Sequence, residues 1–342
     1  MSYELGNFHL PEKRVVMSHP STKRTRKLRT LLVAVFATFA LAACGGGSDG
    51  KAGDEGANKK LGFLVYDVGV DPWMNVAIKT VEKEGADAGF DVTVSNGHND
   101  VGQMSSAIDS FITQEVDAIL VAPSDKDSLV PAAVKADAAG IPVFTFSLAM
   151  SEKAPITSFI GADDVNIGRV QGDMVLKALN GKGGKVALMT GILGSGPQLG
   201  RTEGVHKVLE AESGIEIVEE QANNWAHDKT VSLTQDWLSK YPKGELAAVV
   251  AQGPELVAGA QLAHSKGRDE IVFIGCDYPK DARKAIEDGV LYGTLNQSPA
   301  VMAQEAIKAM RTVVDGGKVD KEILIDTPAV TDSNVADIEA AY

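Results

Sequence analysis

The sequence predicts an α/β protein made of two doubly wound lobes, each with a parallel sheet covered by helices on both faces. From residue 61 onward, short apolar runs rich in β-forming residues alternate with stretches of helical periodicity, which is typical of a parallel sheet. The alternation starts again after residue 161, so two similar units follow each other. Ligands of such sheets bind beyond the carboxyl ends of the strands, and we therefore expect a cleft between the lobes.

The first unit opens with a predicted strand at Leu61–Tyr66, which is too short and too rich in β-formers to be a helix. Pro72 suits the first position of the following helix. Ser124 or Asp125 is the predicted N-cap of the third helix. The other expected elements are helices at 73–88, 101–114 and 125–139, and strands at 90–95, 116–122, 141–146 and 157–160.

The second unit has the same alternation, with a glycine-rich loop at 191–200 before a helix that we expect Arg201 to open. The other expected helices span 165–179, 230–240 and 255–265, and a last one follows Pro299 to about residue 314. The expected strands span 185–190, 215–219, 247–252, 271–275, 291–295 and 323–330.

Chemically distinctive residues fall at or near the ends of these strands. They are Trp73, Ser147, Arg201, Trp225, Gln252, Asp277 and Gln297. Because strand ends of one sheet meet at one edge, this clustering predicts a binding site better than any single residue does. Trp73 and Met74 directly follow the first strand, where an aromatic ring could lie flat against the C–H face of a ligand; packing of Trp73 onto its own lobe is an equal alternative.

The composition excludes several classes of function. The chain of 342 residues has a formal net charge of -13, although its first 43 residues are basic. An acidic chain of this kind argues against a nucleic-acid partner. The six histidines are scattered and neither of the two cysteines, Cys44 and Cys276, lies beside them at metal-ligand spacing, so we expect no metal and no cofactor.

The first 43 residues are predicted to be a lipoprotein signal peptide. A stretch rich in Lys and Arg at 23–29 precedes an apolar run at 31–41, which is too short to span a bilayer comfortably. The following Leu41-Ala-Ala-Cys44 resembles a bacterial lipoprotein box, which implies cleavage before Cys44 and its lipidation; an uncleaved anchor is the weaker alternative. Residues 1–16 do not fit a signal peptide, so we hypothesise a true start at Met17. Residues 44–59 are predicted to be a flexible tether.

The order and spacing of several motifs resemble those of the ribose-type periplasmic sugar-binding proteins, the solute receptors of ABC importers. The motifs on which this resemblance rests are Asp71-Pro-Trp-Met74, Val116-Asp-Ala-Ile-Leu-Val-Ala-Pro-Ser-Asp125, Ala139-Gly-Ile-Pro-Val143, Arg201-Thr-Glu-Gly204, Ile274-Gly-Cys-Asp277 and Thr294-Leu-Asn-Gln297. The resemblance implies a type I periplasmic binding protein fold, in which three hinge strands join two lobes that close on a ligand. It places the crossings near 161–163, 296–298 and 327–330, the N-terminal lobe at 60–162 plus 298–327, and the C-terminal lobe at 163–297 plus 328–342.

The resemblance also implies the roles of site residues. In the family, aromatic residues from both lobes sandwich the sugar, and polar side chains bond its hydroxyls. Trp73 and Trp225 stand at the aromatic positions, and Arg201, Asp277 and Gln297 stand at polar ones. The ligand-binding set that we expect is Asp71, Trp73, Met74, Ser147, Arg201, Trp225, Gln252, Asp277 and Gln297.

Three departures from the family pattern point to an unusual ligand. Ala122 replaces an Asn, Ser147-Leu148 replaces an Asp-Arg pair that holds an aldose ring, and Gly253-Pro254 replaces an Asn-Asp pair. An unpaired sugar hydroxyl in a closed cleft costs about 1–3 kcal/mol. We therefore infer a smaller or acyclic polyhydroxylated ligand, such as a short sugar alcohol.

Other interpretations stay open at this point. The role of Asp277 could be merely that of a helix N-cap, and Gln297 could merely make hydrogen bonds within the hinge. Arg201 could be a solvated residue of a first helical turn. Cys276 is expected to be a small buried apolar residue. A signalling receptor would have the same soluble part. A NAD-type enzyme is disfavoured because the loop at 194–200 is one residue too long for the dinucleotide motif. A transcriptional regulator of the same core fold is disfavoured, because it would need an N-terminal helix-turn-helix and a basic face, whereas this chain has a lipoprotein leader and an acidic remainder. The resemblance implies a monomeric, extracytoplasmic, lipid-anchored receptor that serves an ABC permease and is not an enzyme.

Overall fold

Two six-stranded sheets make up the fold in the computed structural model, which describes residues 58–69 and 71–342. The predicted signal peptide, the hypothetical start at Met17, the lipidated Cys44 and all but the end of the tether lie outside the described residues. No helix in the described ranges is long and apolar enough to cross a membrane.

The first sheet is parallel throughout, with the strand order β11-β5-β4-β3-β1-β2. Its strands are β1 (Lys59–Val65), β2 (Phe90–Asn96), β3 (Ala118–Ala122), β4 (Val143–Phe146), β5 (Ser158–Gly161) and β11 (Glu322–Leu324). Its helices are α1 (Pro72–Asp87), α2 (Val101–Thr113), α3 (Val130–Ala138) and α9 (Pro299–Val314). Helix α1 packs against α9 and α2 packs against α3, as in a doubly wound lobe.

The second sheet has the order β12-β10-β9-β8-β6-β7 and is parallel except at one edge, where β12 pairs antiparallel with β10. Its strands are β6 (Gly184–Thr190), β7 (Ile215–Ala222), β8 (Leu246–Ala251), β9 (Val272–Ile274), β10 (Gly293–Leu295) and β12 (Ala329–Thr331). Its helices are α4 (Asp164–Leu179), α5 (Gly196–Leu209), α6 (His227–Lys240), α7 (Leu256–Ser265) and α8 (Lys280–Glu287). The fold class predicted from the sequence, two α/β lobes with parallel sheets, is confirmed, with this antiparallel edge as a correction.

Continuous apolar runs form the central strands because helices cover both faces of each sheet. Every residue of β3 and β4 is buried. At the head of α1, Pro72 occupies the first turn and the Asp71 side chain accepts a hydrogen bond from the Trp73 N–H, so the predicted start of this helix is confirmed. Cys276 is fully buried in the core, as predicted.

The chain passes between the two sheets three times. It does so between β5 and α4, between β10 and α9, and between β11 and β12. The single last strand predicted at 323–330 is wrong, since it is two short strands in different sheets. The last of the three crossings separates them at Asp326, Thr327 and Pro328, which interrupt the apolar pattern.

Two helix starts also differ from the sequence prediction. Helix α3 begins at Val130 because the Asp125 carboxylate accepts the N–H groups of Asp127 and Ser128 and so stabilises a turn there. Helix α5 begins at Gly196, where Ser195 caps it, so Arg201 does not open the helix but lies inside it. Helix α8 was not predicted at all.

Helices α4 and α5 cross at very short range because glycines line the contact. A Cβ atom built on Gly204 would lie 2.2 Å from the Val165 carbonyl oxygen, and one on Gly168 would lie 2.1 Å from the Arg201 carbonyl oxygen. No side chain larger than hydrogen fits between these backbones. The crossing thereby holds Arg201 of α5 next to Asp164 at the start of α4.

Gly204→Ala should destabilise the protein by about 1–3 kcal/mol, because the added methyl group forces the two helices apart. Gly196→Ala, in the same helix, is the matched control, since its Cβ atom would have nothing nearer than 3.7 Å. Urea unfolding of both variants measures the difference. Equal stability of the two variants would contradict the tight crossing.

Candidate functional site

A cavity of about 820 Å³ lies between the two lobes, within the usual size range of small-molecule sites. Its wall includes residues of both lobes from the carboxyl ends of strands, as expected for this topology. Eight of the nine residues that the sequence singled out for ligand binding line it: Asp71, Trp73, Met74, Ser147, Arg201, Trp225, Asp277 and Gln297.

Gln252 is the exception. It is fully buried, its Oε1 accepts the Gly191 N–H, and its Nε2 donates to Thr202 Oγ1 and to the Gln198 carbonyl oxygen. Its side chain does not line the cavity. The expectation that it contacts a ligand is therefore corrected: Gln252 joins β8 to the loop after β6 and to α5, and it acts on the site through its backbone.

Trp73 packs onto its own lobe and also lines the cavity. Its ring packs at 5.9 Å between centroids from Phe146 of its own lobe, and its Nε1–H donates to the Gln297 carbonyl oxygen at 2.8 Å. The residue is only 5% exposed, yet its ring forms part of the cavity wall. Packing thus fixes the orientation in which the ring faces the cleft.

Trp225 forms the opposite aromatic wall, on the second lobe. Its N–H donates to Asn223 Oδ1 at 3.0 Å, which holds the turn after β7. The ring lies directly over two glycines: a Cβ atom on Gly191 would come within 2.4 Å of it, and one on Gly253 within 2.6 Å. These glycines create the seat that the indole occupies.

Arg201 is buried and joins four segments of the chain. Its Nε donates to Asp164 Oδ1 at 3.0 Å, its Nη1 to the Gln252 carbonyl oxygen at 2.6 Å, and its Nη2 to Gln297 Oε1 at 2.8 Å. The interpretation of Arg201 as a solvated first-turn residue is therefore wrong. A guanidinium has five N–H donors, so two remain for a ligand in the cavity.

Gln297 lies in the second crossing between the lobes, where it makes hydrogen bonds within the hinge. Its carbonyl oxygen and its Oε1 accept from Trp73 and Arg201, which are on opposite lobes. The residue also lines the cavity. It therefore connects the hinge directly to the binding wall.

Asp71 and Asp277 place carboxylates on the two sides of the cleft. Asp71 caps α1 through Oδ1, and its Oδ2 accepts the Tyr66 hydroxyl at 2.9 Å. Asp277 does not cap α8, whose N-cap is Pro279, so the capping interpretation is excluded. Burial, together with the Asp71 and Glu255 carboxylates, raises the pKa of Asp277 to about 7, although the nearby Arg201 guanidinium opposes this rise.

Glu255 is a cavity residue that the sequence reasoning missed. Its Oε1 accepts from Asn223, and its buried Oε2 has no partner. Burial raises its pKa to about 7. A Cβ atom on Gly253 would lie 2.3 Å from Oε2, so the carboxylate occupies space that only a glycine leaves. The Gly253-Pro254 sequence beside an acidic residue was the available signal.

Tyr342 was also missed. It lines the cavity, and its buried hydroxyl has no hydrogen-bond partner among the described residues. Its backbone carbonyl accepts the Lys280 N–H, which anchors it beside α8. Nothing in its sequence surroundings pointed to the cleft.

Five cavity residues other than glycine have left-handed backbone geometry, which such residues rarely adopt: Asn99, Ser147, Asn224, Trp225 and Asp277. Their φ angles range from 52° at Asn99 to 66° at Asp277. Each residue lies in the loop after a strand, and such strain persists only where the surroundings impose it. The concentration of strain around one cavity supports this cavity as the candidate functional site.

The glycine-rich loop before α5 does not have the geometry of a dinucleotide site. The Gly194 N–H donates to Gln198 Oε1, and the Ser195 N–H donates to the Ile192 carbonyl oxygen. These amides are already bonded within the loop and cannot cradle a phosphate. In the described residues, no group of His, Cys, Asp and Glu side chains is arranged to hold a metal ion.

Comparison with known proteins decides the family. The profile of the periplasmic binding protein domain matches residues 61–318. The chain belongs to this family. The resemblance to ribose-type sugar-binding proteins that the sequence motifs indicated is thus confirmed, and the relatives of this periplasmic binding protein are solute-binding proteins rather than enzymes.

Individual relatives bind sugars or sugar alcohols. A xylitol-binding protein of Mycolicibacterium smegmatis is 30% identical over 304 residues, which cover 86% of this chain and 82% of that one. The ribose import binding protein of Bacillus subtilis is 30% identical, with 72% and 78% covered. An ABC transporter solute-binding protein of Bacillus halodurans C-125, solved with myo-inositol, is 27% identical with a TM-score of 0.79, covering 85% of this chain and all of that one.

The ligand-free protein should lose stability as the pH rises from 5 to 8. Because Asp277 and Glu255 have pKa values near 7 when folded and about 4 when unfolded, the folded state binds more protons in between, and its unfolding free energy falls with rising pH. Asp277→Asn should flatten this slope, as measured by thermal unfolding across the range.

His206 requires a control in this experiment. Burial lowers its pKa, but hydrogen bonds to Glu210 and Glu220 outweigh burial and raise it, so its stabilisation is also lost as the pH rises. His206→Gln, made in both backgrounds, removes this contribution. An Asp277→Asn slope equal to that of the parent would show that the cleft carboxylates are not the cause.

Gly191→Ala should weaken ligand binding by about tenfold or more, since the methyl group displaces the Trp225 ring from its seat. Isothermal titration calorimetry measures the affinity, and the fluorescence of Trp225 reports the displacement. Trp225→Phe is the companion variant, because a smaller ring should tolerate Ala at residue 191 better. Unchanged affinity in Gly191→Ala would contradict the role of this seat.

Proposed function

We propose that this periplasmic binding protein is an extracytoplasmic, lipid-anchored receptor that binds a small polyhydroxylated ligand and delivers it to an ABC permease. The favoured ligand is a short sugar alcohol; a sugar is the alternative. The observation that carries the proposal is the pairing of Trp73 and Trp225, which form walls of one cavity from opposite lobes. Aromatic rings pack well against the C–H faces of polyols.

Polar groups lie between these aromatic walls in the pattern that hydroxyl groups need. Asp71 and Asp277 accept hydrogen bonds, whereas the two free N–H groups of Arg201 donate them. The Tyr342 hydroxyl can do either. A ligand hydroxyl both donates and accepts, so a set of mixed acceptors and donors suits it.

The cavity wall on the first lobe supports an acyclic or small ligand. Ser147 and the apolar Leu148 line it where an Asp-Arg pair would hold an aldose ring. The wall residues of the second lobe include Arg201, Glu255 and Asp277. A ligand held mainly from one side loses little when the other side is apolar, whereas a pyranose would leave hydroxyls unpaired there.

Export, lipidation at Cys44 and delivery to a permease rest on the leader sequence and on the relatives. The ribose import binding protein of Bacillus subtilis acts in import, as its name states. For this chain, metabolic labelling of the expressed precursor with a fatty acid tests the anchor. Label in the parent and none in Cys44→Ser is the expected result; label in both would place the anchor elsewhere.

Ligand binding is tested by thermal unfolding against aldoses, ketoses and short sugar alcohols. A ligand present at 100 times its dissociation constant adds about 2.7 kcal/mol, which shifts the midpoint by several degrees. We expect the largest shift of the unfolding midpoint with a short sugar alcohol. The double variant Asp277→Asn, Trp225→Ala should show no shift. A shift with pyranoses alone would keep the receptor and overturn the acyclic ligand. The absence of any shift across the panel would overturn the proposed ligand class.

A further inference from the structure

Five carboxylates line the cavity, and three of them interact with one another across the lobes. Asp71 belongs to the first lobe, and Glu255 and Asp277 belong to the second. They are close enough to interact: Asp71 raises the pKa of both Glu255 and Asp277, and Glu255 raises that of Asp277. The cavity therefore concentrates negative charge where a ligand must lie.

The buried cation of the cavity wall offsets only part of this charge. Arg201 is paired through Nε with Asp164 at 3.0 Å, and its guanidinium also opposes the rise in the pKa of Glu255 and Asp277 without outweighing burial. His227 and Lys280 also line the cavity, but both are exposed. The three carboxylates therefore face one buried guanidinium that is itself paired with Asp164.

The two carboxylates of the second lobe keep hydrogen-bonding capacity that the fold does not use, although Glu255 Oε1 accepts from Asn223. Neither α7 nor α8 has a side-chain cap, although Glu255 and Asp277 precede these helices. The buried Glu255 Oε2 has no partner. Asp277 is 8% exposed, and its carboxylate has a weak contact with the Cys276 Sγ, at 3.8 Å. Asp71 differs, because it caps α1 and accepts the Tyr66 hydroxyl.

We propose that the cleft selects a polyhydroxylated ligand that carries one protonated amine, with the ammonium group bound by Glu255 and Asp277. This inference rests on the proposed function and narrows its ligand class to amino-substituted sugar alcohols and cyclitols. A neutral hydroxyl leaves the excess negative charge uncompensated. An ammonium group offsets it and brings three donors to the carboxylates that line the cavity.

The arrangement also links the charge of the ligand to closure of the lobes. Asp71 stands across the cleft from Glu255 and Asp277, so closing brings like charges together. A cation between them turns this repulsion into attraction, and lobe closure around the ligand then favours the aminated molecule. Gly253 contributes to this arrangement, because a larger residue there would displace the Glu255 carboxylate from its present position.

Isothermal titration calorimetry with matched ligand pairs tests the inference. The pairs are D-glucitol with 1-amino-1-deoxy-D-glucitol, and myo-inositol with a monoamino-deoxyinositol. We expect at least one aminated member to bind about tenfold or more tightly than its hydroxyl partner, equivalent to about 1.4 kcal/mol. Glu255→Gln and Asp277→Asn should each remove most of this preference, so that the two members of a pair bind either variant with similar affinity, whatever the variant does to the affinity of both.

Glu245→Gln is the matched control, because Glu245 is an acidic residue of the same lobe that pairs with Lys185 at the surface. It should keep the full preference. Equal affinity within every pair would overturn the amine inference and leave the proposed polyol receptor standing. Failure of every amine and every polyol to bind would overturn both. An amine preference that persists in Glu255→Gln and Asp277→Asn would overturn the assigned carboxylates.

Discussion

The arrangement of the site depends on the buried guanidinium of Arg201. It bonds to Asp164 at the start of α4, to the backbone at the end of β8, and to Gln297 in the crossing between the lobes. Hydrogen bonds to a charged group are worth more than neutral ones, and breaking one partner of a buried pair is strongly destabilising. The position of Arg201 itself depends on the glycine-lined crossing of α4 and α5, where backbone atoms replace side chains. Backbone packing in the second lobe therefore fixes the geometry of the hinge-side wall.

The two walls of the cleft have different physical characters. The wall from the first lobe offers an aromatic ring, apolar surface and two carboxylates, Asp67 and Asp71, which already accept hydrogen bonds from Asn99 and Tyr66. The wall from the second lobe offers Trp225 in a strained turn and the guanidinium of Arg201. It also offers the carboxylates of Glu255 and Asp277, which have unused hydrogen-bonding capacity. Such asymmetry suits a ligand that is anchored on one lobe and then covered by the other. Burial raises the pKa values of Glu255 and Asp277, which means that keeping both carboxylates charged in the empty cleft costs free energy.

Local pattern was enough to predict the fold class and eight residues of the cavity wall. Strand β1, Pro72 and the residues at strand ends follow from periodicity and from the topology of parallel sheets. Prediction failed where one pattern had two explanations. The glycines before Arg201 suggested a loop, whereas Ser195 and Pro197 start α5 there. The stretch at 323–330 suggested one strand, although Asp326, Thr327 and Pro328 interrupt it and the chain crosses between the lobes there.

Other features could not be predicted because they depend on contacts between distant residues. The direction of the Gln252 side chain is set by Gly191 and Thr202, about 50 to 60 residues away in the chain. The place of Glu255 in the cavity depends on the space beside Gly253 and on Asn223. Tyr342 reaches the cleft through its backbone bond to α8. None of these relations leaves a periodic signal in the sequence.

The central claim is that a polyhydroxylated ligand lies between Trp73 and Trp225. A crystal structure of the protein with the ligand that gives the largest thermal shift tests it most directly. The account predicts a ligand whose carbon chain lies against at least one of the two rings, with polar atoms within about 3.2 Å of Arg201 and Asp277. A ligand bound outside this cavity, or in it without contact to either tryptophan, would contradict the account.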